Sequence, residues 1–236
     1  MTLKNSELKA LFQRGFIPGP FETEEEFKKR VQRRPPLHLP EWEKVAPYLQ
    51  KQWGFSINWV PVIYSKKSLF IWEGAAFWSG GDEVPCVQIR PFLSQHELFT
   101  KQLLPILSHE AVHAARETFH EPFFEERLAY HFSSSSLEKW VSPLFQKIYE
   151  LPIFALLIAL FPLTPLISSF GLLFFVLRLS LRHLVFHLAL KRASLPILLC
   201  LRDQEIFAIS LPKYTLSFDG SLRHHMIKAL SPSFFS

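Results

Sequence analysis

The length, composition and charge of this chain narrow the classes of protein to which it can belong. Its 236 residues suffice for one catalytic domain with a small appendage and exclude two full catalytic domains, while 48% hydrophobic residues indicate a surface that does not face water. The formal charge of +5 lies in the apolar part from residue 151 onward, where eight basic and three acidic residues favour lipid headgroups as partner and argue against nucleic acid.

The N-terminal segment and the cysteines indicate a reducing compartment. The first residues, MTLKNSELKALFQRGF, carry charges where a secretory signal needs an unbroken apolar run, so export by a cleaved signal is not predicted. Cys86 and Cys200 are far apart in the sequence and do not form a disulfide framework.

The region before Pro61 is predicted to form short helices separated by prolines. Thr23 and Glu26 have the spacing of a capping box, which predicts a helix from Thr23 to about Gln32. A second helix is predicted from Glu41 to Trp53. Both helices are interpreted as scaffold.

Residues 56–90 have the pattern of β-structure. Turn-like clusters at residues 65–68 and 79–82 divide this region into three parts, which predicts a small antiparallel sheet of about three strands. The strand-forming residues are Ile57, Trp59, Val60, Val62, Ile63 and Tyr64, then Leu69, Phe70, Ile71 and Trp72, then Val84, Val87 and Ile89.

Two helices are predicted to follow the sheet. The first opens with the capping-box spacing of Ser94 and Glu97 and extends to about Phe119, with Pro105 as a kink or a fresh start. The second extends from about Pro122 to Trp140.

The first of these helices contains the motif His-Glu-x-x-His in the segment LSHEAVHAA. Because His109 and His113 are four residues apart, their rings project from one helix face and can bind one zinc ion. Glu110, next to the first ligand, can act on a zinc-bound water without occupying the metal. Three titratable groups in an apolar stretch are costly unless a metal compensates them, so a zinc site is predicted.

The following helix contains the segment FEERLAY, which includes Glu125 and Glu126. With the His-Glu-x-x-His motif, it resembles the gluzincin metallopeptidases, in which a glutamate on the next helix completes the zinc site and a small residue often lies three positions later. Glu126, followed by Ala129, matches that arrangement, and Glu125 is the alternative. The resemblance extends from His109 to about Phe132 and implies a tight turn around Glu121-Pro122.

The resemblance also implies a mechanism and a substrate site. Zn²⁺ would activate water for hydrolysis of a peptide or protein substrate, with Glu110 as the base. Peptide substrate would lie along a sheet-edge strand, here Val84 to Arg90. The candidates for a transition-state donor are Tyr130, His120, His131, Tyr214, His224 and His225.

Residues 151–177 form an uncharged apolar run of 27 residues, longer than the 20 or so that cross a hydrocarbon core. The segment Phe161-Pro162-Leu163-Thr164-Pro165 predicts a bend between two arms, from about Val141 to Phe161 and from Leu166 to about Leu190. A membrane hairpin is therefore predicted, and the alternatives are a single spanning helix and a deeply buried hairpin of a soluble protein.

These patterns predict an α+β protein with three parts: a zincin-like catalytic domain (residues 1–140), an apolar membrane hairpin (141–192) and a C-terminal tail (193–236) that packs on the domain or the membrane surface. Positive charges after the apolar run predict a cytoplasmic C-terminal side, and the absence of a signal peptide predicts a catalytic domain that faces the cytoplasm. The predicted function is a membrane-anchored zinc metallopeptidase. The alternative is a non-enzymatic membrane protein or a degenerate metallopeptidase that holds zinc structurally.

Overall fold

Eleven α-helices and three strands are present in the computed structural model, which describes residues 3–67, 69, 74–79, 84–94, 97–132, 136–141, 144–145, 149–212 and 216–234. The helices are α1 (Asn5–Gln13), α2 (Glu24–Gln32), α3 (Pro40–Trp53), α4 (Glu97–Ala115), α5 (Pro122–Ala129), α6 (Ser136–Val141), α7 (Glu150–Leu160), α8 (Pro165–Leu190), α9 (Leu195–Cys200), α10 (Asp203–Ser210) and α11 (Leu222–Leu230). The strands are β1 (Val62–Tyr64), β2 (Ala75–Trp78) and β3 (Cys86–Ile89). The chain is thus a mostly helical α+β protein, as predicted.

Local sequence signals account for the N-terminal helices. The backbone N–H of Glu26 donates to the Thr23 hydroxyl, and the Glu26 carboxylate accepts from the backbone N–H of Thr23 at 2.9 Å. This reciprocal pair is the capping box that the sequence predicts, and it begins α2. Helix α3 begins with Pro40 in its first turn and ends at Gly54, whose φ of 76° is the left-handed conformation that glycine adopts without strain.

The sheet is mixed, so the prediction of an antiparallel sheet is wrong for one of its two pairings. Strand β3 lies in the centre, antiparallel to β2 and parallel to β1. The middle strand was predicted around Leu69–Trp72, mostly outside the described residues, and the observed second strand begins at Ala75. Alternating residues indicate that a strand exists, whereas its order in the sheet depends on where the connections pass.

The two helices predicted after the sheet differ from expectation in their lengths. Helix α4 continues through Pro105 to Ala115, without a break at the proline. The following helix was predicted to extend to Trp140, but α5 ends at Ala129 and gives way to a 3₁₀ turn at Tyr130–Phe132 before α6. The short α5 nevertheless includes both candidate glutamates.

Helices α7 and α8 lie side by side, joined by a turn at residues 161–164. The first arm was predicted to begin near Val141, but α7 begins only at Glu150, while α8 matches the predicted second arm. Among the described helices, α8 alone is long and apolar enough to cross a membrane, by length and composition. We call residues 151–177 the apolar hairpin.

The C-terminal helices α9, α10 and α11 return to the same hydrophobic core as the N-terminal helices. Ile197, Leu198, Ile206, Met226 and Ile227 are all buried there. Helix α11 packs on α1, and α10 packs on α8. Helices α9, α10 and α11 therefore contribute to the same core as the helices that carry the candidate site.

Candidate metal centre

Helix α4 presents His109 and His113 side by side on one face. Their Nε2 atoms lie 2.9 Å apart, and their ring centroids are 4.7 Å apart. This proximity follows from the four-residue spacing, which brings side chains together one helical turn apart. The Nε2 atoms of both rings therefore face the same small space beside α4.

Glu126 of α5 faces the same space. Its two carboxylate oxygens lie 3.6 Å from Nε2 of His109 and 3.5 Å from Nε2 of His113. One atom from each of these three residues lies within 4.8 Å of the other two, a separation that a single metal ion can bridge. The structure thus brings together the three residues that are predicted from the sequence as metal ligands.

Glu125, the alternative ligand, contacts the opposite edge of the His113 ring. Its Oε1 lies 3.1 Å from Nδ1 of His113, and its Oε2 accepts a hydrogen bond of 2.7 Å from Nε of Arg116. A carboxylate in this position orients a histidine ligand and fixes its tautomer, which leaves Nε2 available for a metal. Glu126 therefore faces the Nε2 atoms of both histidines, whereas Glu125 contacts Nδ1 on the other edge of the His113 ring.

Glu110 is buried next to His109, and its negative charge acts on His113. A carboxylate in this position is within electrostatic range of whatever His113 binds. We call His109, Glu110, His113, Glu125 and Glu126 the metal-site cluster.

The charges of the cluster perturb the pKa values of its members in opposite directions. Burial and the charge on His113 lower the pKa of His109 well below its usual value. Burial also acts to lower the pKa of His113, but the hydrogen bond that His113 donates to Glu125 and the charges of three glutamates outweigh it and raise this pKa to about 10. Burial raises the pKa of Glu126. Protonation is therefore favoured on His113 and disfavoured on the neighbouring His109.

A metal ion fits this donor set. Two imidazole nitrogens and a carboxylate oxygen are the donors typical of a catalytic zinc site. Within the described part of the chain, the buried Nδ1 of His109 has no hydrogen-bond partner, and the Tyr130 ring packs on this imidazole at 4.3 Å. A proton on Nδ1 leaves the Nε2 lone pair of His109 free for a cation.

The candidate transition-state donors have very different surroundings. Tyr130 contacts His109, whereas the His131 ring packs between Trp53 and Phe186. His120 is exposed beyond the end of α4, with a φ of 50°.

The remaining three candidates are on or before α11. His224 bonds to Glu205 and Asp219, and His225 packs on Phe218. Tyr214 lies outside the described residues. Of the candidates that the structure describes, Tyr130 is the one placed against a predicted ligand.

The predicted substrate strand is wrong. Residues Val84 to Arg90 contain β3, which has β1 on one side and β2 on the other. Its backbone groups are committed to both neighbours, so a peptide cannot pair with it. Among the described strands, β2 lies at an edge of the sheet and packs against α4: a Cβ added at Gly74, just before β2, would lie 3.4 Å from Cδ1 of Ile106.

Arg116 connects the cluster to the C-terminal segment, and sequence reasoning missed it. This buried guanidinium donates to Glu125 and to the carbonyl oxygens of Leu199 at 2.6 Å and Leu201 at 3.0 Å. The signal in the sequence is a single Arg after a run of small apolar residues. Its carbonyl partners are more than 80 residues away and cannot be recognised without the fold.

Helices α5 and α10 cap each other at their N-termini. The Asp203 carboxylate accepts from the backbone N–H groups of Phe123 at 2.8 Å and Phe124 at 3.2 Å. In return, Glu121 accepts from the backbone N–H of Asp203 at 2.5 Å and from Nε of Arg202 at 2.8 Å. Because α5 carries Glu125 and Glu126, this exchange helps to hold both glutamates against α4.

Comparison of this chain with protein-family models, with curated proteins and with solved structures found no match. The geometry of the cluster is therefore the basis for any functional inference.

Proposed function

We propose that this protein is a membrane-attached zinc metallopeptidase. The observation that supports the proposal is the convergence of His109, His113 and Glu126 within 4.8 Å, with Glu110 buried beside them. In this proposal the two histidines and Glu126 would hold the ion. The membrane attachment rests on the long apolar helix α8.

The chemistry divides between the ion and the side chains. A bound zinc ion supplies Lewis acidity, which lowers the pKa of a water and polarises a scissile carbonyl. Glu110 takes the proton from the attacking water and delivers it to the leaving amine. Glu125 accepts a hydrogen bond from Nδ1–H of His113 and so directs Nε2 at the ion.

Arg116 is proposed to position Glu125. Its guanidinium is anchored by two carbonyl groups of the C-terminal segment, so the carboxylate that it binds is held in one orientation. The C-terminal segment thereby contributes to the site without offering a ligand. The zincin-like fold that the resemblance to gluzincins implies is part of the proposal.

A peptide substrate is proposed to pair with the edge strand β2. This strand packs against α4, and among the described strands it is the edge closer to the metal-site helix. Backbone pairing with an edge strand holds a peptide in extended form regardless of its side chains. Residues 75–78 thus replace the central strand as the candidate substrate site.

The catalytic domain is proposed to face the cytoplasm. The basic residues that follow the apolar hairpin, including Arg178, Lys191 and Arg192, favour that side of the membrane. The proposed partners are therefore membrane lipid and a peptide or protein substrate accessible from that side.

Metal content and peptide hydrolysis, measured together in detergent-purified protein, test the proposal. We expect about one zinc per wild-type chain, loss of zinc in His113→Ala and Glu126→Ala, and retention in His120→Ala, the matched exposed histidine. Glu110→Gln should keep zinc and lose hydrolysis. Folded wild-type protein without zinc would contradict the proposal, and zinc without hydrolysis of any peptide would favour the alternative of a structural zinc site in a non-enzymatic membrane protein.

A further inference from the structure

The apolar hairpin is a self-packed unit with an apolar outer surface. The two arms meet closely at Gly171, where an added Cβ would lie 2.8 Å from Cδ1 of Leu157. Between them, the rings of Phe154 and Phe175 pack edge to face at 5.4 Å. The outer surface is exposed and apolar, as at Ile158, Leu163, Leu166, Ile167, Phe170 and Phe174.

A buried ion pair marks the base of the hairpin. Arg178 binds both carboxylate oxygens of Glu150, at 2.8 and 2.7 Å, and also the carbonyl oxygen of Leu144 at 2.6 Å. The pair ties the first residue of α7 to the point in α8 where the uncharged run ends. Charged groups therefore begin at one level on both arms.

The part of α8 that follows Arg178 packs against other helices of the protein. Phe186 and Ala189 are fully buried, and the ring of Phe124 from α5 lies 6.5 Å from that of Phe186. The guanidinium of Arg182 lies over the ring of Phe123, at 4.6 Å. This stretch cannot enter a bilayer while the fold is intact.

The length that remains is too short to cross a membrane. Residues 165–177 of α8 extend about 20 Å and residues 151–160 of α7 about 15 Å at the rise of an α-helix. The hydrocarbon core is about 30 Å thick, so these arms match one leaflet and part of its headgroup region. The turn at residues 161–164 carries no charge that would seek water on the far side.

We propose that the apolar hairpin inserts into a single leaflet of a lipid bilayer, with acyl chains covering its outer surface and both chain ends on one side. This inference rests on the membrane attachment proposed above and does not depend on the metal. It also narrows the substrate class. Helix α5, which carries Glu125 and Glu126, packs on α8 only one to three turns beyond Arg178, so the metal-site cluster would lie near the membrane surface. The site would then cleave peptide bonds close to the membrane surface.

Vesicle flotation compares two exposed phenylalanines. Phe170, 72% exposed, lies on the hairpin, and Phe21, 82% exposed, lies in the N-terminal region. With phosphatidylcholine–phosphatidylglycerol vesicles, we expect Phe170→Glu to weaken partitioning by about tenfold or more and Phe21→Glu to leave it unchanged. Equal effects in the two variants would overturn the hairpin as the lipid-binding surface.

Labelling by a membrane-impermeant maleimide reports how far the hairpin inserts. In a Cys86→Ser background, the full-length variants Leu163→Cys, Lys51→Cys and Lys228→Cys are bound to sealed vesicles from outside. We expect external reagent to label positions 51 and 228, and position 163 to react from neither side until detergent is added.

Other labelling outcomes overturn the proposal in different ways. Labelling of position 163 by reagent trapped in the lumen would mean that the hairpin crosses the bilayer. Positions 51 and 228 on opposite sides would mean a single span. If wild-type protein fails to float at all, the membrane attachment in the proposed function is also wrong. Zinc binding and hydrolysis are tested independently, by the metal content and the peptide assay described above.

Discussion

The metal-site cluster and the apolar hairpin differ in how their neighbours hold them. In the cluster, charges from α4 and α5 converge in a buried space, and buried groups from the C-terminal segment bind the residues behind it. The hairpin consists of α7 and the first half of α8, and its apolar outer surface has no protein cover among the described residues. The buried cluster thus depends on partners from distant parts of the chain, whereas the two arms of the hairpin pack mainly on each other.

The largest expected effect is the loss of turnover when the metal-site cluster alone is changed. Glu110→Gln should lower kcat by about 10²–10⁴-fold, because the proton transfer loses its base. Zinc content and vesicle binding should not change. The measurement is turnover of a soluble peptide in detergent, with Phe170→Glu as the matched hairpin variant that keeps full kcat. Full turnover by Glu110→Gln would show that the base lies elsewhere.

The base of the hairpin should be its most sensitive point. Arg178→Met leaves the buried Glu150 carboxylate without its cation, and the loss of one partner of a buried pair costs about 3–5 kcal/mol of unfolding free energy. Urea denaturation in detergent measures this change. The double variant Arg178→Met with Glu150→Leu should recover much of the loss, and the absence of any recovery would argue against the ion pair as the cause.

Low pH should loosen the charged C-terminal segment before the apolar hairpin. Glu205 binds Arg223 and His224, and although burial opposes it, these partners lower its pKa to about 2 from 4.5. The stability that Glu205 contributes, about 3 kcal/mol, is complete above pH 4.5 and is lost as the pH falls towards 2.

Denaturation of wild type and Glu205→Gln from pH 7 to pH 2 checks this prediction. The variant should be less stable at pH 7, and the difference should shrink on acidification. Asp203 contributes in the opposite sense, because burial raises its pKa from 3.8 to about 6: its stabilisation is present below pH 3.8 and is lost as the pH rises through 6. Asp203→Asn in both backgrounds separates the two contributions. An unchanged difference across the pH range would contradict the role of Glu205.

The smallest expected effect concerns the residues behind the metal. Arg116→Met and Glu125→Gln should each weaken zinc affinity by about 10–100-fold while all proposed ligands remain. Competition with a zinc chelator measures the affinity. The loss should exceed that of Glu121→Gln, which removes a cap contact from the same pair of helices without touching His113. An equal loss in all three variants would indicate general loosening of α5 and no specific role for Arg116 or Glu125.

Sequence reasoning anticipated features that depend on near neighbours in the chain. The capping box of α2, the bounds of α8 and the α+β class are confirmed. The juxtaposition of His109 and His113 follows from one helical turn. Their role as zinc ligands, with Glu126, stays a prediction, as do the cytoplasmic orientation and the peptidase activity.

Features that depend on distant contacts were not accessible in this way. Packing between remote segments accounts for four such features. They are the central position of β3, the early end of α5, the start of α7 at Glu150, and the anchoring of Arg116 by residues more than 80 positions away.

The helix that presents two histidines and a glutamate could be predicted from the sequence alone, because the four-residue spacing and one helical turn suffice to align the two histidines. The uncharged run that avoids water could be predicted in the same way, because composition alone sets its transfer free energy. The different places of the two glutamates follow from the tertiary structure: Glu126 faces the Nε2 atoms of both histidines, and Glu125 contacts Nδ1 of His113. The two residues are adjacent on one short helix, so their roles depend on which side chains pack against each of them. The tertiary structure also places the last turns of α8 in the protein core, because burial depends on the partners that α5 and α10 bring to it.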